Sequence, residues 1–83
     1  MNYVITFQSS HQAIKAERKF MKAHNTDLIP TPREISSECG FSLKISETEL
    51  NMILELLQQN SLNYSKIYTI TVHEGEKRYE ENN

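Results

Sequence analysis

The amino-acid sequence predicts an α+β domain with the element order β-α-β-β-α-β, and three observations predict it. Apolar and polar residues alternate with period two in separate short runs at residues 3–7, 41–45 and 64–72. Two longer stretches carry apolar residues at helical spacing, each behind a Ser-x-x-Gln or Ser-x-x-Glu capping signature. Both prolines of the chain stand close together, at positions 30 and 32, where they stop a further strand.

In the first strand Tyr3, Ile5 and Phe7 form the more apolar face, with Val4 and Thr6 between them. Ser9-Ser10-His11-Gln12 then opens a helix whose stripe is Ala13, Ala16, Phe20 and Ala23, flanked by Ile14 and Met21 and ending near His24-Asn25. Residues 27–30 make a short strand that Pro30 ends. Phe41, Leu43 and Ile45 give the third strand. Ser46-Glu47-Thr48-Glu49 starts the clearest helix, with Leu50, Ile53, Leu54 and Leu57 at i, i+3, i+4 and i+7. In the last strand Tyr68, Ile70 and Val72 share one face, and Ile67 with the threonines takes the other. This order is that of a ferredoxin-like domain, a four-stranded antiparallel sheet in the order 4-1-3-2 with two helices on one face. Residues 1–72 form that single domain. Residues 73–83 are polar and charged, and are expected to be a disordered tail.

A chain of 83 residues buries only about 60 % of the surface it exposes when unfolded, which leaves no room for a deep catalytic cleft. Nine basic against eleven acidic side chains, a net charge of −2, argue against nucleic acid or an anionic membrane as the main partner. Ferredoxin-like sheets also serve RNA-binding domains, but no basic-aromatic run of their kind lies in the third strand. The first residues lack the length and basic flank of a signal peptide, and no stretch reaches transmembrane length. A lone cysteine in such a chain points to the reducing cytoplasm. His24 and His73 lack ligand spacing to any cysteine, so no metal or other cofactor is implied. No catalytic triad or carboxylate pair can be assigned, which favours a non-enzymatic role.

The chemistry concentrates in residues 28–40, which hold Cys39, both prolines and Gly40. The two prolines force the chain out of the sheet, and Gly40 is expected to permit the turn back into the third strand. In the predicted topology that turn lies beside the start of the first helix, so Cys39 should approach Ser10 and His11. The positive end of the helix dipole, the hydroxyls of Ser9 and Ser10, His11 and the guanidinium of Arg33 would then favour a thiolate on Cys39, while Ser36 and Ser37 shape or hydrogen-bond the loop. A short helical turn at residues 33–38 would oppose this, because its negative end and Glu38 would face the thiol. The competing reading is a binding or interaction module in which Cys39 is packed as a small hydrophobe, with dimerisation through a sheet edge compatible with either reading.

The run from Tyr3 to Phe7, then Ser9-Ser10-His11, and above all Pro32-Arg33 through Ser36-Ser37 to Cys39-Gly40, resembles the small bacterial selenium/sulfur carrier-like family with its P-R-x-x-S-S-x-C-G pattern. The resemblance runs over residues 2–72. It implies a cytoplasmic carrier whose Cys39 accepts sulfur or selenium as a persulfide or selenosulfide. A donor of the cysteine desulfurase or selenocysteine lyase type would load it, and an acceptor enzyme would unload it.

Overall fold

The computed structural model describes residues 2–20, 26–36 and 40–82. Among these, the elements are β1 (Asn2–Thr6), α1 (Ser10–Phe20), β2 (Thr26–Pro30), β3 (Phe41–Ser46), α2 (Glu47–Gln59), β4 (Lys66–His73) and β5 (Glu76–Asn82). The strands form one sheet in the order β2-β3-β1-β4-β5, and every neighbouring pair is antiparallel. The expected end of the first helix at His24-Asn25 lies outside the described residues.

Strand alternation sorts the sheet into two faces. Ile5, Leu43 and Ile45 join Ala16 of α1 and Ile53 and Leu57 of α2 in one buried cluster, so both helices cover the same face. Ile67 packs against that cluster too, which puts Tyr68, Ile70 and Val72 on the face away from the helices. Val72 is well exposed there.

The capping signatures work unequally. Ser9 accepts a hydrogen bond on Oγ from the Gln12 N–H at 3.3 Å, but Gln12 Oε1 is buried without a partner, so only one arm of the first capping box forms. Ser46 is the N-cap of α2 in extended conformation and makes no cap bond with its side chain. Its hydroxyl pairs instead with Thr48 Oγ1 at 3.1 Å. The second box is therefore a correct boundary signal in which the Ser46 hydroxyl does not make the cap bond.

The fifth strand corrects two expectations, the four-stranded ferredoxin-like sheet and the disordered tail of residues 73–83. Glu74 and Gly75 have φ of 52° and 82°, the double left-handed geometry of a tight two-residue hairpin turn, and β4 folds back on itself as β5. The hairpin stays polar because it is an edge strand. Tyr79 alone in β5 is half-buried, and Lys66 Nζ reaches Glu81 Oε1 across the ladder at 3.0 Å. A charged composition with little to bury reads as disorder, yet backbone pairing with β4 needs no apolar side chains.

Tyr79 lies opposite Ile70, on the face that no helix covers. Its phenol is held protonated above the ordinary 10.0, first by burial and then by the nearby Glu34 carboxylate. A raised folded-state value favours the protonated fold, so this contribution is complete below the unfolded value and is lost as pH rises through the folded one. We expect NMR of the Tyr79 ring to give a titration midpoint above 10.0, and Glu34→Gln to lower it. A midpoint at or below the ordinary value would contradict the packing of Tyr79 beside residue 34.

Candidate functional site

The segment that leaves β2 does not extend into solvent but folds over the sheet face away from the helices. Pro30 ends β2, and the Thr31 N–H donates to the Gly40 carbonyl at 2.9 Å, which pins the two ends of the loop together. Thr31 Oγ1 lies 2.6 Å from Ser42 Oγ, on the fully buried Ser42 of that same face. Within the loop the Pro32 carbonyl accepts from the N–H groups of both Ile35 and Ser36, at 3.0 and 3.1 Å. Of the helical turn considered for residues 33–38, a short turn over 33–35 is present, and residues 37 and 38 lie outside the described residues. Proline suits its start, because it supplies an acceptor while lacking a donor.

A second anchor comes from the far side. The Ser65 N–H donates to the Thr6 carbonyl at 2.7 Å, and the Thr6 hydroxyl both accepts from the Lys66 N–H at 3.1 Å and donates to the Lys66 carbonyl at 3.3 Å. These bonds hold the start of β4 against the end of β1. Between the two anchors is a pocket of about 190 Å³. Its polar wall comes from Ser9, Ser10, Thr31, Ser36 and Ser65, and its apolar wall from Phe7, Ile35, Phe41 and Tyr68.

The structure brings three of the sequence-predicted residues together here: Ser10, Ser36 and Gly40 all line the pocket. A side-chain carbon built on Gly40 would stand 3.6 Å from Ser10 Oγ and 3.8 Å from Thr31 Oγ1, so the return of the loop rests against the first turn of α1. Arg33 and His11 are exposed and do not line the pocket. Ser37 and Cys39 lie outside the described residues.

Among the described residues no charged side chain lines the pocket, and the polarity they give it comes from hydroxyls, Gln8 and the first-turn amides of α1. Such a site stabilises an anion by hydrogen bonding and dipoles rather than by ion pairing. Among the described residues no group of His, Cys, Asp and Glu side chains is gathered to hold a metal ion, and no helix is long and apolar enough to cross a membrane.

Sequence reasoning did not find Thr31, Ile35, Ser65 or Tyr68 as site residues. The register of β4 against β1 decides which way Tyr68 points, and alternation within one strand cannot supply that. Thr31 carries the clearer signal, since between two prolines it has the one backbone N–H of residues 30–32 with which to close the loop.

Gly40 makes its return without the left-handed backbone that favours glycine. Gly75 alone among the described glycines has a positive φ, and the contacts a Gly40 side-chain carbon would make are of ordinary van der Waals length. Gly40 therefore needs neither special backbone freedom nor empty space.

A protein family described as "Putative Se/S carrier protein-like" matches residues 2–69 of the chain. No curated protein and no solved structure matches it.

Replacing Gly40 by alanine tests the local geometry. Gly40→Ala is expected to fold with unchanged or slightly raised stability, by up to about 1 kcal/mol, because alanine lowers the entropy of the unfolded chain. Urea denaturation checks this. A loss of more than about 1 kcal/mol would show that the Ser10 contact is tighter than the structure places it.

Proposed function

The chain belongs to the selenium/sulfur carrier-like family, and we propose that it is a non-enzymatic thiol carrier in which Cys39 holds the chalcogen. The observation that carries this reading is the closed loop: the hydrogen bond from Thr31 to Gly40 sets the residue after Cys39 against the first turn of α1. A carrier thiol needs a setting that favours its anion, a loop that a partner enzyme can approach, and no second thiol to resolve its adduct into a disulfide. Hydroxyls and first-turn amides supply the first near Gly40. The 83-residue sequence has one cysteine, which meets the third.

The loading step follows from thiol–disulfide chemistry. The Cys39 thiolate attacks the outer sulfur of a persulfide on a donor of the cysteine desulfurase type. A new S–S bond forms at Cys39, the donor's S–S bond breaks, and the donor cysteine leaves as thiolate. With a selenocysteine lyase-type donor, selenium takes the place of the outer sulfur. Unloading reverses the roles, with a nucleophile of the acceptor enzyme attacking the outer atom and Cys39 leaving as thiolate. Ser10 and Ser36 hydrogen-bond the charged adduct, and Ser37 shapes the loop beside it. Arg33, exposed on the turn, lowers the cost of negative charge from the solvent side. His11 is exposed in the first turn of α1 and contributes through that turn's positive potential. Such chemistry belongs to the cytoplasm, where the thiol stays reduced.

The decisive experiment is intact-mass measurement of the protein after incubation with a cysteine desulfurase and cysteine, or a selenocysteine lyase and selenocysteine. The native chain should gain sulfur or selenium that reductant removes, and Cys39→Ser should gain none. No adduct on a folded native chain, with a thiol that resists a neutral alkylating reagent until unfolding, would overturn the reading in favour of a packed structural cysteine.

Arg33→Ala is expected to move the alkylation rate profile of Cys39 to higher pH while leaving the plateau rate unchanged. Its stability should change by less than about 0.5 kcal/mol, since the side chain is exposed. An unchanged profile would remove Arg33 from the mechanism and leave the hydroxyls as the stabilising groups.

A further inference from the structure

β5 is an outer strand of the sheet and pairs only with β4. Its tight turn closes on the His73–Glu76 pair, and in a two-residue hairpin of this kind that flanking pair is hydrogen-bonded. Hydrogen-bonded and non-hydrogen-bonded pairs then alternate along the ladder. Glu76, Arg78, Glu80 and Asn82 therefore direct their backbone groups to β4, while Lys77, Tyr79 and Glu81 direct theirs outward.

The side chains of that edge are ordered by charge, with Lys77 and Arg78 before Tyr79 and Glu80 and Glu81 after it. Laid antiparallel against itself about Tyr79, the strand puts Lys77 opposite Glu81 and Arg78 opposite Glu80, each twice by symmetry. Tyr79 meets Tyr79. The same register makes the Tyr79 pair and both Lys77–Glu81 pairs hydrogen-bonded, because these are the residues with outward backbone groups. Moving the centre one residue toward the turn sets Arg78 on Arg78 and Glu76 on Glu80. Moving it one residue the other way sets Glu80 on Glu80. Backbone parity and charge thus select one register, and directly opposed unlike charges stabilise a strand pair while like charges oppose it.

We propose that a second copy of this chain docks on β5, joining two sheets across a two-fold axis through antiparallel β5–β5 pairing. Glu81 already holds Lys66 through Oε1, and a carboxylate accepts from two cations on its two oxygens. Charged edges commonly deter strand pairing, and this one deters strands of other sequence while matching its own. The opposite edge, β2, ends in Pro30, which has no N–H to offer. A strand pair alone buries less than a permanent interface, so the dimer is concentration-dependent and weakened by salt.

Sedimentation velocity of the full chain, at low and high salt and over a range of concentrations, tests this together with two charge reversals. Arg78→Glu and Glu80→Arg each set like charges opposite one another twice, and each should weaken self-association by about tenfold or more. An equimolar mixture of the two variants restores both unlike pairs and should associate as the native chain does. Both side chains are exposed, and circular dichroism of each variant should match that of the native protein. Amide exchange adds a second readout, because the N–H groups of Lys77, Tyr79 and Glu81 should gain protection as the native dimer forms. A native chain that stays monomeric, a dimer indifferent to both reversals, or a dimer without that gain in protection would each overturn the proposal. None of these outcomes depends on the cargo of Cys39.

Discussion

Val4 and Ile5 are neighbours in β1 and both are fully buried. Successive strand residues point to opposite faces, so this sheet has to be covered on both sides at its centre. One side is met by α1 and α2. The other has no helix, and three lesser elements meet it: the half-buried side chains of Lys44 and Tyr68 that flank Val4 in register, the loop after β2, and Tyr79 of β5. The loop is thus part of the fold's own covering, and its shape is set by hydrogen bonds at Thr31, Gly40 and Pro32 rather than by chance.

That dual burden explains which parts were legible in the sequence. The first, third and fourth strands and both helices followed from periodicity and the second strand from the proline that stops it, and these four strands stand in the expected order. β5 carries one aromatic residue among charges, and its signal was the Glu74-Gly75 turn rather than any run of hydrophobic residues. Burial on the uncovered face was illegible for a related reason. Val4 looked like the lesser face of an alternating strand, and nothing local says that a loop some thirty residues later will fold onto that face of the sheet.

The candidate site was legible in its location and less so in its content. Proline, serine and glycine around Cys39 marked the loop, and the pairing of β3 with β1 brought its return to the start of α1. The pocket wall instead depends on long-range register. Ser65 and Tyr68 arrive there because Thr6 ties down β4, and Ile35 because the Pro32 turn directs it inward. Arg33 and His11 are exposed, so the described wall of the pocket holds hydroxyls and no charged side chain. Charge on the loop and hydroxyls in the pocket are separate resources of the same segment.

The closure at Thr31 and Gly40 frees the length of the segment between them from the register of β2 and β3. Once both ends of a segment are tied, added residues cost only loop entropy, which grows by about 0.6 kcal/mol for each doubling of length. Descendants of this chain are then free to lengthen that segment outward while Ile35 keeps its place in the pocket wall and β2 and β3 keep their register. A domain built this way can change the reach of its loop faster than it changes its architecture.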